Sequence, residues 1–134
     1  MTDPPALLAA AVAARDGSYS PYSHFAVGAA LLDQDGRVWT GANIENASYG
    51  LTMCAERAAV FHAASNGVRR FAAVAVAGPP GVTTLPCGAC RQVLSEFGPR
   101  MAVYYDDGGT LATTSVDALL PAAFGPAQLD EARR

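Results

Sequence analysis

The sequence predicts an α/β fold in which residues 1–134 form one domain, with helices covering the faces of a central sheet. Three observations carry that reading. Apolar stretches of strand length alternate with helical stretches through the middle of the chain, the pattern of a sheet covered by helices. Hydrophobic residues make up 51% of the 134 residues, enough to fill one sizeable core. No internal repeat, long linker or low-complexity tract interrupts the chain.

Each element has its own local signal. Asp3 followed by Pro4 suits a helix cap and first helical position; Leu8 and Val12 share a face, and Gly17 follows soon after Arg15. Phe25 to Leu32 is nearly all apolar, Asp33-Gln-Asp-Gly36 supplies turn chemistry, and Arg37 to Ala42 returns as the second strand of a hairpin. Thr52 can cap a helix that begins near Met53 and stops around Asn66-Gly67, which puts Cys54 in the first turn. Phe71 to Ala77 reads as a buried strand, and Gly78-Pro-Pro-Gly81 forces an irregular loop after it. The next helix begins about Cys87 and ends at Gly98-Pro99, a left-handed cap followed by a hard stop. Met101 to Tyr105 and Leu111 to Thr114 flank Asp106-Asp-Gly-Gly109 as a last strand pair, before a helical segment around Val116 to Leu120. The predicted order is α-β-β-α-β-α-β-β-α.

Composition removes several classes of function. The net charge is −3, and the nine basic residues, all arginine, are spread too thinly to track a phosphate backbone, so no nucleic-acid partner is expected. No apolar run reaches the roughly 20 residues that span a bilayer, and Met1-Thr-Asp-Pro-Pro lacks the basic start of a secretory signal. The expectation is a soluble, cytoplasmic protein with no membrane partner. Three cysteines cannot all pair within one chain, so Cys87-Gly-Ala-Cys90 points to thiol or metal chemistry rather than a disulfide framework.

Residues three apart on a helix are neighbours, so Cys87 and Cys90 can share one zinc ion, and Cys54 can add a third thiolate from the other helix. Both helix starts present free amides and the positive end of a dipole, which favours thiolates. Three protein ligands leave a position for water, whereas a fourth would make the site structural. His62 lies eight residues beyond Cys54, about 12 Å along a helix, and is a poor fourth ligand. His24, ahead of the first strand, is an unproven one. Glu56 leans toward the N-terminal end of its helix, within reach of a water on the metal, and excess negative charge there raises its carboxyl into the range of a proton carrier. Arg57 can donate hydrogen bonds to the thiolates and compensate their charge. A C-x-x-C alone would equally suit a redox dithiol or a structural zinc module. The pairing of Cys54-Ala-Glu56 with Pro86-Cys-Gly-Ala-Cys90 instead matches the two halves of zinc deaminase chemistry.

Beyond these halves, the chain carries Tyr19-Ser-Pro-Tyr-Ser23, Phe25, Val27-Gly-Ala-Ala-Leu31, Asn43-Ile-Glu-Asn-Ala-Ser-Tyr-Gly50, Cys54-Ala-Glu-Arg57 and Pro86-Cys-Gly-Ala-Cys-Arg91. Through them it resembles the small, homotetrameric class of cytidine deaminases over almost its whole length. The resemblance implies a three-layer α/β/α fold around a mixed five-stranded sheet, and one zinc ion per subunit held by Cys54, Cys87 and Cys90. From local sequence, Asn43 and Glu45 could be a turn residue and a solvated charge; in an extended chain they share a face opposite Ile44. The resemblance assigns them to the ribose. It sets Phe25 beside the pyrimidine and gives the Ala55 amide to cytosine O2. Tyr49 and Phe124 correspond to residues that complete a neighbouring subunit's pocket. The implied reaction is hydrolytic deamination of cytidine and deoxycytidine with Glu56 as proton shuttle. A cytosine-containing antibiotic nucleoside is the alternative substrate.

Overall fold

The computed structural model describes residues 2–133. Helix α1 (Pro4–Ala14) starts as Asp3 accepts a hydrogen bond from the Ala6 amide, with Pro4 at the first helical position. Its buried face is Leu7 and Ala11; Leu8 is half-buried and Val12 exposed, so the predicted apolar stripe sits one position too far along the helix. A short 3₁₀ turn, Arg15–Gly17, follows.

Strands β1 (Gly28–Asp33), β2 (Val38–Ala42), β3 (Phe71–Ala77), β4 (Ala102–Asp107) and β5 (Thr110–Ser115) form one sheet in the order β2-β1-β3-β4-β5. The pair β3/β4 is parallel and the other three pairs are antiparallel. The mixed character follows from the connections. The β1–β2 and β4–β5 turns are tight, whereas the chain crosses from β3 to β4 through helix α3 (Gly88–Phe97), as a parallel pair requires. The expected strand from Phe25 starts later, at Gly28. Asn43 engages the preceding residues, donating to the Phe25 carbonyl and accepting from the Val27 amide.

Period-two alternation along β1 sorts the core into two layers. Ala29 and Leu31 join Val60, Val74, Val76, Leu94 and Val103 beneath helices α2 (Ala55–Ser65) and α3. Ala30 and Leu32 face Leu7 and Ala11 of α1 on the other side. A sheet buried on both faces needs apolar residues at consecutive positions, and β1 is buried at all six of its own. The result is the expected three-layer α/β/α arrangement.

Helix ends depart from expectation in informative ways. Cys54, not Thr52, is the residue before α2, and Cys87 holds the same position before α3. The Thr52 hydroxyl instead accepts from the Asn46 amide. Gly67, at φ +88, closes α2 in the left-handed conformation. Gly98 does not do so for α3: its φ of −173° is extended, a backbone conformation open to any residue. Helix α4 (Val116–Leu119) matches the predicted segment. Helix α5 (Pro126–Ala132), started by Pro126 and by Gln128 accepting from the Gly125 amide, was not foreseen. Among the described residues, no helix is long and apolar enough to cross a membrane.

Candidate active site

The two helix starts meet. Cys54 and Cys87 both hold extended backbone angles before α2 and α3, so their side chains project off the helix ends, while Cys90 lies in the first turn of α3. The Sγ atoms of Cys54 and Cys87 are 3.6 Å apart, those of Cys87 and Cys90 are 3.3 Å apart, and all three lie within 4.8 Å of one another. A tetrahedral zinc with Zn–S bonds of about 2.3 Å separates its sulfurs by about 3.8 Å, so the three thiols fit that ion. Among the described residues, no His, Asp or Glu atom joins this group. His62 Nδ1 faces the Thr40 carbonyl at 3.2 Å and its ring packs edge-on against Trp39, well accounted for elsewhere.

The electrostatics divide the thiols. Cys54 is held down to about 5, first by its hydrogen bond with Cys90 and then by Arg57 and Cys87, against the opposing effect of burial. Cys90 is pushed up by the same hydrogen bond and by its burial. Arg57 donates from Nη2 to Cys54 Sγ at 3.4 Å, and this bond raises its own already high pKa. Its Nε is buried without a hydrogen-bond partner among the described residues. The bond from Nη2 places the Arg57 cation where it offsets the charge of the Cys54 thiolate.

Glu56, only 4% exposed, is pushed up to about 7, chiefly because burial penalises the carboxylate and further because the Cys54 thiolate is near. Its side chain lines a pocket of about 290 Å³ shared with Phe25, Asn43, Glu45, Cys54 and Cys87. A buried carboxyl that titrates near neutrality, beside three convergent thiols, can both donate and accept a proton at working pH.

The sequence profile of the cytidine and deoxycytidylate deaminase zinc-binding region matches residues 1–106. The chain belongs to this deaminase family. It is 52% identical over 120 residues to a cytidine deaminase of Halalkalibacterium halodurans, covering 88% of this chain and 91% of that protein. It is 47% identical over 124 residues to a cytidine deaminase of Mycobacterium tuberculosis, covering 92% and 91%. The crystal structure of a cytidine deaminase from Burkholderia pseudomallei superposes with a TM-score of 0.84 at 51% identity, covering 90% of this chain and 98% of that one.

Among deaminase-family positions expected from sequence, the structure brings Phe25, Asn43, Glu45, Cys54, Ala55, Glu56 and Cys87 to one pocket, with Arg57 bonded to Cys54 behind it and Cys90 buried beside it. Asn43 and Glu45 have further work. Asn43 is 8% exposed, and besides its bonds to Phe25 and Val27 it accepts from the Ser18 hydroxyl. Glu45 accepts from the Tyr22 and Ser23 amides and from the Ser23 hydroxyl, and these bonds, the hydroxyl's first, hold its carboxyl below the usual range. Tyr49 lines an adjoining hollow with Tyr22 and is 75% exposed, while Phe124 is 60% exposed and apart from the pocket wall. Ser23, Thr84 and Leu85 also line the pocket and were not foreseen. Ser23 lies within Tyr19-Ser-Pro-Tyr-Ser23; Thr84 and Leu85 lie in the irregular loop after Ala77, whose glycines and prolines mark a loop without setting its path.

Proposed function

We propose that this protein hydrolyses free cytidine and deoxycytidine to uridine and deoxyuridine with release of ammonia, a step of pyrimidine salvage, with residues 1–134 acting as one domain. The observation that carries the reading is the convergence of three thiols with the buried Glu56 carboxyl at one small pocket. Cys54, Cys87 and Cys90 would hold one zinc ion, which when bound supplies a Lewis acid that makes water nucleophilic near neutral pH.

Glu56 takes a proton from the attacking water and delivers it to pyrimidine N3, which makes C4 electrophilic as oxygen adds there. It then carries the second proton of that oxygen to the amino group on C4, the C4–N bond breaks, and ammonia leaves. Arg57 keeps the Cys54 sulfur anionic throughout. Ala55 opens α2, where amides lack intrahelical acceptors, and its N–H suits cytosine O2. Phe25 packs beside the ring. Asn43 and Glu45 hold the sugar hydroxyls, and their existing hydrogen bonds fix both side chains before substrate arrives.

The exposure of Tyr49 and Phe124 supports an assembly in which each covers a neighbouring subunit's pocket, a homotetramer by resemblance. Three free thiols suit a reducing compartment and support a cytoplasmic location. The test is turnover of cytidine, deoxycytidine, cytosine and cytidine monophosphate side by side, with ammonia quantified and assembly measured by light scattering. Both nucleosides should be converted with one ammonia per uridine product, and the base and nucleotide at under about a hundredth of that rate. Failure to convert either nucleoside by zinc-loaded protein would refute the reading.

A further inference from the structure

Cys87 is the exposed member of the thiol group and stands at the end of an irregular loop, so something must fix the direction of its side chain. The direction of a Cα–Cβ bond is set by the peptide planes on either side. One residue, Arg91, holds both. Its backbone amide donates to the Cys87 carbonyl at 2.9 Å, which fixes the plane after Cys87. Its side-chain Nε donates to the Pro86 carbonyl at 2.7 Å, which fixes the plane before it. The Pro86 carbonyl is outside the helical ladder, because the first helical bond of α3 already uses the Cys87 carbonyl. The side chain of Pro86 is fully buried, so the loop cannot swing as a unit.

The same guanidinium reaches further. Nη1 of Arg91 donates to the Leu119 carbonyl at 3.0 Å, at the end of α4, and the next residue, Gln92, donates from Nε2 to the Phe124 carbonyl at 2.9 Å. The planar fork of arginine serves two carbonyls from segments far apart in sequence, which the point charge of lysine cannot do at once.

We infer that Arg91 is a positioning residue that clamps the Cys87 turn to the C-terminal segment, so that metal retention depends on a side chain that never touches the metal. The inference rests on the reading that the three cysteines hold zinc. Gln92 anchors the Phe124 end of that segment and bears on the metal only indirectly. The clamp works by orientation rather than charge, because both of its side-chain acceptors are neutral carbonyls.

The test is the rate at which zinc leaves the protein into excess chromophoric chelator, measured for wild type, Arg91→Met, Arg91→Lys, Gln92→Ala and Leu7→Ala. Leu7 belongs to α1, on the opposite face of the sheet, and controls for general loss of stability. Arg91→Met should release zinc at least tenfold faster than wild type and faster than Leu7→Ala, with Arg91→Lys between and Gln92→Ala within twofold of wild type. Release from Arg91→Met at the wild-type rate, or no faster than from Leu7→Ala, overturns the clamp. Should Arg91→Met fail to fold, Arg91→Lys decides: release no faster than from Gln92→Ala overturns it equally. The readout needs no turnover, so the two readings fail separately. Wild type that never holds one zinc per chain sinks the metal reading and the clamp together, whereas zinc-loaded wild type with unchanged release in Arg91→Met sinks the clamp alone.

Discussion

Replacing Gly41 with alanine adds one methyl group and should disturb the site from outside it. Strand β2 crosses α2 so closely at this residue that a Cβ would sit 2.5 Å from the Ala59 nitrogen, 2.7 Å from the Ala55 carbonyl oxygen and 2.9 Å from the Ala58 carbonyl carbon. These are backbone atoms and cannot rotate away. Against ordinary contact at 3.4 Å, the shortest approach is deficient by about 0.9 Å, so β2 and α2 must part by most of that distance. Overpacking of this kind costs about 1–3 kcal/mol. The affected turn of α2 carries Glu56 and follows Cys54, and a displacement near 1 Å can cost about a hundredfold in rate. Chemical denaturation and cytidine turnover of Gly41→Ala, with zinc content matched, measure both effects. Gly17→Ala is the control, since its Cβ would meet only Ala42 Cβ at 3.9 Å. A Gly41→Ala protein as stable and as active as Gly17→Ala would refute the claim that β2 sets the position of α2.

Asp33 gathers the amides of Asp35 and Arg37, the Trp39 indole N–H and the Arg37 guanidinium at the β1–β2 turn. Burial alone would raise its carboxyl, but these bonds outweigh it and hold it below its ordinary value of 3.8. A depressed folded pKa stabilises fully above the unfolded value and is lost as pH falls through the folded one. Asp33→Asn should therefore be less stable by about 2 kcal/mol at pH 7, and the gap to wild type should close below pH 3.8, read by Trp39 fluorescence in denaturant. Asn43→Ala removes three hydrogen bonds that join separate segments, so it should lose about 2–3 kcal/mol of stability as well as activity. Glu45→Gln should instead raise the KM for cytidine while leaving the denaturation midpoint near that of wild type. Arg57→Met should weaken zinc binding by about 10–100-fold in chelator competition, because the Cys54 thiolate loses its donor.

The parts of this molecule legible in the sequence are those that local chemistry determines. Strand Phe71–Ala77 was bounded to the residue because an apolar run ends at a glycine-proline cluster. Cys87 falls at a helix start after the glycine-proline loop and Pro86, whereas the Thr52 cap expected ahead of Cys54 gives way to Cys54 itself. What escaped was set by distant partners. Phe25 looked like strand until the Asn43 side chain claimed its carbonyl, and Leu8 looked buried until the sheet selected Leu7 and Ala11. Gly98 followed the usual rule for a helix end in sequence, yet its backbone is extended rather than left-handed. Thr84 and Leu85 reached the pocket through a loop whose path depends on contacts such as that of Arg15 with the Gly78 carbonyl. In the site, residue type pointed to the three convergent thiols and the buried carboxyl beside them, whereas the roles proposed for Phe25 and Ala55 rest on family resemblance.

Glu56 is the proposed proton carrier, and one comparison tests that role most directly. Glu56→Gln and wild type are brought to the same content of one zinc per chain, and conversion of cytidine to uridine is followed at pH 7. The variant keeps the shape of the side chain and loses its exchangeable acid, so turnover should fall by about a thousandfold or more. Turnover within about tenfold of wild type at equal zinc would contradict the central claim.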